Sequence, residues 1–135
     1  VKRKYTITIC TLFIILTMSF SNVFATRSTI TLKTKQIWNV RTSLTRTTRY
    51  SYLTARCFAV YPTGGGKDNF TRVQVKATNT GNTNITNVIT LNETSSAPTN
   101  IPIIEGYLNE SSVKFCFRGN NPDYSAYADV DYLAN

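Results

Sequence analysis

The sequence predicts an all-β fold: a β-sandwich of seven or eight mostly antiparallel strands behind a short N-terminal leader. Three observations carry this. Thr and Asn dominate the composition, with 22 and 13 of 135 residues, and Thr favours strands while Asn favours turns. No stretch after Ala25 repeats apolar residues at helical spacing over more than one turn. Short alternating segments recur at roughly ten-residue spacing between turn signals, the pattern of a sandwich.

The leader comes first. Lys2, Arg3 and Lys4 precede the uncharged, mostly apolar stretch Ile7–Phe20, and Val23-Phe24-Ala25 offers a small residue at the cleavage position. Basic, apolar and cleavable segments in that order predict a secretory signal peptide, residues 1–25, cut between Ala25 and Thr26. The apolar run of about 14 residues falls short of the roughly 20 needed to span a bilayer. The expected product is one secreted, extracellular domain, residues 26–135. The Val at position 1 and the Ile- and Thr-rich leader suggest a Gram-positive bacterium.

Eight strands are expected within that domain: Ser28–Thr34, Gln36–Thr42, Tyr50–Tyr61, Asn69–Thr78, Ile85–Leu91, Ile103–Leu108, Ser112–Arg118 and Ser125–Leu133. Alternation sets their faces. Thr71, Val73, Val75 and Ala77 oppose Arg72, Gln74 and Lys76. Val113, Phe115 and Phe117 oppose Lys114, Cys116 and Arg118. Ala126, Ala128, Val130 and Tyr132 oppose Tyr127, Asp129 and Asp131. Pro62–Asp68 reads as a Gly-rich loop, Asn79–Asn82 as a turn with Gly81 free to take positive φ, Glu93–Pro102 as a crossover and Gly119–Asp123 as a further turn. The expected core is Ile30, Leu32, Trp38, Val40, Phe58, Val60, Val73, Val75, Ile89, Leu91, Val113, Phe115 and Val130.

Two local features extend this. Val75–Val88, with its Asn79-Thr80-Gly81-Asn82 turn and following Thr86-Asn87-Val88, resembles a hairpin of the immunoglobulin-like repeats of bacterial surface proteins. That resemblance implies a sandwich hairpin and no activity. The leader, the Thr, Asn and Tyr richness and the Tyr-bearing last strand also make the chain similar to small Gram-positive exoproteins of unknown function and to lactococcin-type secreted β-sandwich bacteriocins, which implies an Ig-like or bacteriocin-like sandwich.

Enzymatic chemistry finds little support. The chain has no His, which removes the commonest general base and metal ligand and every Ser-His or Cys-His pair. The Gly64–Lys67 loop fails the phosphate-loop pattern, since Tyr61 stands where the first Gly belongs and Asp68 follows Lys67. The carboxylates Asp68, Glu93, Glu105, Glu110, Asp123, Asp129 and Asp131 include no pair marked out for acid–base work, and Asp123, Asp129 and Asp131 lack calcium-loop spacing. No catalytic residue, cofactor or metal is therefore expected. The sequons at Asn69, Asn84, Asn92 and Asn109 are chance products of the composition. Cys57 and Cys116 remain after cleavage, and export favours joining them by a disulfide across about 60 residues, worth roughly 4 kcal/mol. Their strand faces agree only if a bulge intervenes or both strands are buried on two sides.

Charge is the strongest functional signal. Residues 26–76 carry ten basic and one acidic residue, and residues 77–135 carry two basic and six acidic. In the basic half, Arg41, Arg46, Arg49 and Arg56 are interleaved with Trp38, Tyr50 and Tyr52. Arginine beside aromatics holds anionic groups and stacks on rings. The expected function is a non-enzymatic secreted protein, bacteriocin-like, whose Arg/aromatic face binds an anionic cell-envelope polymer or membrane surface without reading a specific nucleic acid. The alternative is a self-associating structural or matrix exoprotein, which opposite-sign halves and open strand edges would favour.

Overall fold

A computed structural model describes residues 25–63, 72–94 and 96–135. Residues 1–24 of the expected signal peptide, Cys10 among them, the glycines at 64–66, Asp68, Asn69 and Thr71 lie outside the described residues.

The fold is an all-β sandwich of two antiparallel sheets. The strands are β1 (Thr26–Leu32), β2 (Asn39–Val40), β3 (Leu44–Thr45), β4 (Tyr52–Thr63), β5 (Arg72–Asn79), β6 (Ile89–Asn92), β7 (Thr99–Pro102), β8 (Ser112–Gly119) and β9 (Ser125–Leu133). One sheet has four strands in the order β1-β9-β4-β7. The other has five, with β2-β8-β5-β6 in order and β3 also paired to β8.

The inner faces follow the alternation. Val73, Val75 and Ala77 of β5, Val113, Phe115 and Phe117 of β8, and Ala126, Ala128, Val130 and Tyr132 of β9 are all buried. Ile30 and Leu32 of β1 and Leu53, Ala55 and Cys57 of β4 complete the inner faces opposite them. Phe115 and Phe117 lie 5.0 and 5.4 Å from the Tyr132 ring at tilted angles. Such pairs add about 0.5–1.5 kcal/mol each beyond their buried area. The Tyr132 hydroxyl reaches the sandwich edge and accepts a bond from Arg41 Nε at 3.2 Å.

Several local expectations need correction. Ile103–Leu108 is not a strand: only Ile103 bridges to Thr86, and residues 105–107 form a 3-10 turn. The strand in this region is β7, inside the expected crossover. β7 is an edge strand paired only to β4, where prolines are tolerated. The expected strand Gln36–Thr42 shrinks to the two residues of β2, because residues 34–36 form a 3-10 turn with Lys35 and Gln36 at positive φ.

Three expected core residues lie outside the core. Val40 is 53% exposed, since it pairs with the outward Cys116. Trp38 is half-buried over the same face. Phe58 is the extra residue of a bulge between Cys57 and Ala59; its ring lies outside the four-stranded sheet beneath Arg27 and Arg56, 4.1 and 4.2 Å from their guanidinium carbons.

The turn at 79–82 is present. Asn82 N–H donates to Asn79 O, Asn79 N–H donates to Thr83 O, and Thr83 N–H donates to Asn79 Oδ1. The left-handed residue is Asn82, at φ 66°, rather than Gly81. Asn is one of the few residues with a side chain that takes this conformation readily.

Candidate polyanion-binding face

The seven residues expected to form one Arg/aromatic face are spread over four places. Arg46, just after β3, is only 5% exposed. Its Nε donates to Asn135 O at 2.7 Å, one terminal nitrogen donates to Leu108 O at 2.7 Å and to Glu110 O at 3.1 Å, and the other donates to Tyr50 O. This guanidinium holds four main-chain carbonyls at one end of the sandwich and is not presented to a ligand. Burial lowers its pKa, and the charge of Arg49 adds to the shift, though an arginine retains its proton throughout.

Arg49 and Tyr50 are exposed nearby, with Arg49 at φ 53° and the Tyr50 and Tyr52 rings stacked 5.5 Å apart. Arg56 lies on the outer face of the four-stranded sheet, paired with Asp131 at 2.5 Å and bonded to Ser96 O at 2.6 Å. Arg41 turns to the Tyr132 hydroxyl at the sandwich edge. Trp38 stands on the opposite sheet. The structure thus brings Arg46, Arg49, Tyr50 and Tyr52 together and separates Arg56, Arg41 and Trp38 from them. Chain interleaving failed as a guide because consecutive segments enter different sheets.

A cationic face does exist, on the outer side of the five-stranded sheet. The registers set Gln74 beside Arg118, Lys76 beside Cys116 and Thr78 beside Lys114, with Val40 completing the Cys116 row. With Arg72 on the same side of β5, four cations from two adjacent strands share one surface. No carboxylate occupies an outward position of these strands. Trp38 packs over two of the cations: its ring centroid is 4.7 Å from Lys76 Nζ and 4.3 Å from the Arg118 guanidinium carbon. Arg118 Nε donates to Gln74 Oε1 at 2.7 Å, and Lys114 Nζ donates to Thr80 O and Asn82 Oδ1 at 3.0 and 3.1 Å. These contacts hold Lys76, Lys114 and Arg118 in place at low entropic cost to a later partner.

Of the expected residues, only Trp38 belongs to this face. The others were missed although the alternation put Arg72 and Lys76 on one side of β5 and Lys114 and Arg118 on one side of β8. The missing step was that β5 and β8 are neighbours.

The two cysteines are free, and the expected Cys57–Cys116 disulfide is not formed. A bulge does interrupt β4, but it leaves Cys57 pointing into the core. Phe115 and Phe117 fill the inner face of β8, so Cys116 between them must point outward. The sulfurs therefore lie on opposite sides of the five-stranded sheet. Burial, with Glu93 adding to it, pushes the Cys57 thiol up to about 12. Burial also raises Cys116, while Thr78 and the ammoniums of Lys76 and Lys114 pull it back.

Among the carboxylates, Asp129 accepts from the Thr29 hydroxyl, Asp131 pairs with Arg56, and Glu93 accepts from Val60 N–H. Among the described residues no cluster of three or more Cys, Asp or Glu could hold a metal ion. No protein-family model, curated protein or solved structure matches the chain, so its own geometry is the basis for any functional reading.

Proposed function

We propose that this is a small secreted, non-enzymatic protein that binds an anionic cell-envelope polymer through the outer face of its five-stranded sheet. The observation that carries the reading is the grouping of Arg72, Lys76, Lys114 and Arg118 around Trp38 on a face with no carboxylate at its outward strand positions. Uniform positive charge on a rigid sheet concentrates a polyanion and orients it, and it does so in a salt-dependent way. β1 begins at Thr26, the residue after the expected cleavage point, which fits a domain released outside the cell. A bacteriocin-like factor would need such envelope contact.

The test is binding of the purified protein to isolated Gram-positive walls across a salt series. Binding should be strong at low salt and fall steeply as salt rises. Lys76→Gln combined with Arg72→Gln should flatten that dependence without moving the thermal midpoint, while Arg49→Gln should change it little. No binding at low salt, or binding indifferent to the double variant, overturns the proposal.

The self-associating alternative draws support from the open outer edges of β1 and β7, each paired on one side only. Sedimentation over a concentration range tests it, and a strictly monomeric protein removes it.

A further inference from the structure

The cationic face is not flat. Two depressions flank Trp38. One, of about 260 Å³, is lined by Lys33, Ile37, Trp38, Asn39 and Val40. The other, of about 170 Å³, is lined by Trp38, Val40, Lys76, Thr78, Asn82 and Cys116. They share Trp38 and Val40 in their walls, and each is lined by one lysine. Each is smaller than the ~300–1,000 Å³ that takes a drug-sized ligand, which suits a single monomer unit.

The smaller depression carries a second feature. Thr78, only 5% exposed, lines its floor with Cys116, and the Thr78 hydroxyl lies against the Cys116 thiol and offsets part of the rise that burial gives it. Lys76 supplies a positive charge at the same place, and the bond from Lys114 to Asn82 brings a second ammonium to the rim.

The geometry points to a two-unit subsite for an acidic glycan. Consecutive sugar units lie on either side of Trp38, with one acid group facing Lys76 and the Thr78 hydroxyl and the next facing Lys33. The inference rests on the polyanion reading above and narrows it to a polymer built of sugars. A sugar-free polyphosphate needs the lysines but not the aromatic wall. A sugar has C–H faces that pack on an indole, whose ring face is negative, and a polar rim that needs partners such as Thr78 and Asn82.

Trp38 is the single tryptophan of the chain, so its fluorescence reports on this wall alone. The protein is titrated with mono-, di- and tetragalacturonate, with heparin-derived oligosaccharides of matching lengths, and with inorganic polyphosphate as the sugar-free polyanion. The disaccharide of at least one glycan series should shift Trp38 emission and bind on the order of tenfold tighter than the monosaccharide, with little further gain for the tetramer. Lys33→Gln, Lys76→Gln and Thr78→Val should each weaken disaccharide binding on the order of tenfold, with circular dichroism confirming the fold.

Polyphosphate binding with both glycan series silent overturns the sugar subsite and leaves the polyanion reading standing. Silence of all three probes, together with failure to bind walls, overturns both. Disaccharide binding unaffected by Lys33→Gln and Thr78→Val places the site elsewhere and overturns the inference.

Discussion

Replacing Arg46 with Ala should be the most damaging change at any charged position of this domain. The side chain donates to the carbonyls of Tyr50, Leu108, Glu110 and Asn135 from a site 5% exposed. Its loss leaves four acceptors at least partly shielded from water. Hydrogen bonds to a charged donor contribute about 1.5–3 kcal/mol each. They do not add, because the guanidinium already gave up much of its hydration on folding. A net loss of about 3–5 kcal/mol is therefore expected, comparable to breaking a buried ion pair, against a total of roughly 5–15 kcal/mol for a domain. At about 4–8 °C per kcal/mol for a domain near this size, the thermal midpoint should fall by more than ~12 °C.

If the Ala variant does not fold, Arg46→Lys keeps the test alive. An ammonium has three donors and no planar fork, so it should recover part of the loss and no more. Midpoints by circular dichroism with urea titration provide the assay. A fall of less than ~3 °C, under 1 kcal/mol on the same scale, would show that water replaces the guanidinium easily and refute the clamp. Loss of wall binding with an unchanged midpoint would instead return Arg46 to the ligand face that the sequence suggested.

The remaining predictions concern the thiols, the aromatic cluster and the turn. Unreduced protein unfolded in denaturant should titrate for both Cys57 and Cys116 as free thiols; an absence of titratable thiol at these positions would mean they are bridged. The raised Cys57 pKa favours the protonated thiol in the folded state, so its stability contribution is complete below the unfolded value of 9.0 and is lost as pH rises from there toward about 12. Urea midpoints should accordingly fall less between pH 8 and 10.5 in Cys57→Ala than in the parent, and parallel slopes would count against the shift. Tyr132→Phe removes the acceptor of the Arg41 bond and should cost about 1–2 kcal/mol in denaturant unfolding; an unchanged midpoint would mean water already satisfies Arg41. Asn82→Gly should be near neutral while Asn82→Val should cost about 1–2 kcal/mol, because φ is 66° there; equal midpoints would remove the conformational argument.

How far the sequence foretold this structure depended on burial of one side only. β5, β8 and β9 were legible because their inner faces carry an apolar residue at every second position, with Thr78 of β5, Cys116 of β8 and Asp131 of β9 the buried residues of the other face. β7 was not, since its Thr99-Asn100-Ile101-Pro102 offers a single apolar residue and a proline. Phe58 misled because a bulge shifts the period of β4 by one residue, and bulges leave no signature when no glycine marks them. Trp38 and Val40 looked like core because they are apolar, yet they cover the lysine- and arginine-bearing outer side of the five-stranded sheet. Arg46 was invisible as a structural residue for a different reason. Its acceptors are main-chain oxygens, which every residue has, so nothing in the sequence around positions 50, 108, 110 or 135 announces them. The cationic face was half legible: each strand displayed its basic side, and only the pairing of β5 with β8 was hidden.

The order of strands in the smaller sheet constrains when the domain can fold. β1 has one neighbour, β9, and β9 is also the strand that joins β1 to β4. Thr29 and Asp129, hydrogen-bonded across that junction, stand 100 residues apart in the chain. Among the described strands, β1 therefore waits for β9 before it can pair within its sheet. Pairings this distant are formed slowly, in milliseconds to seconds for β-sandwiches. Until residues 125–133 arrive, β1 and β4 have no strand between them and the four-stranded sheet cannot close.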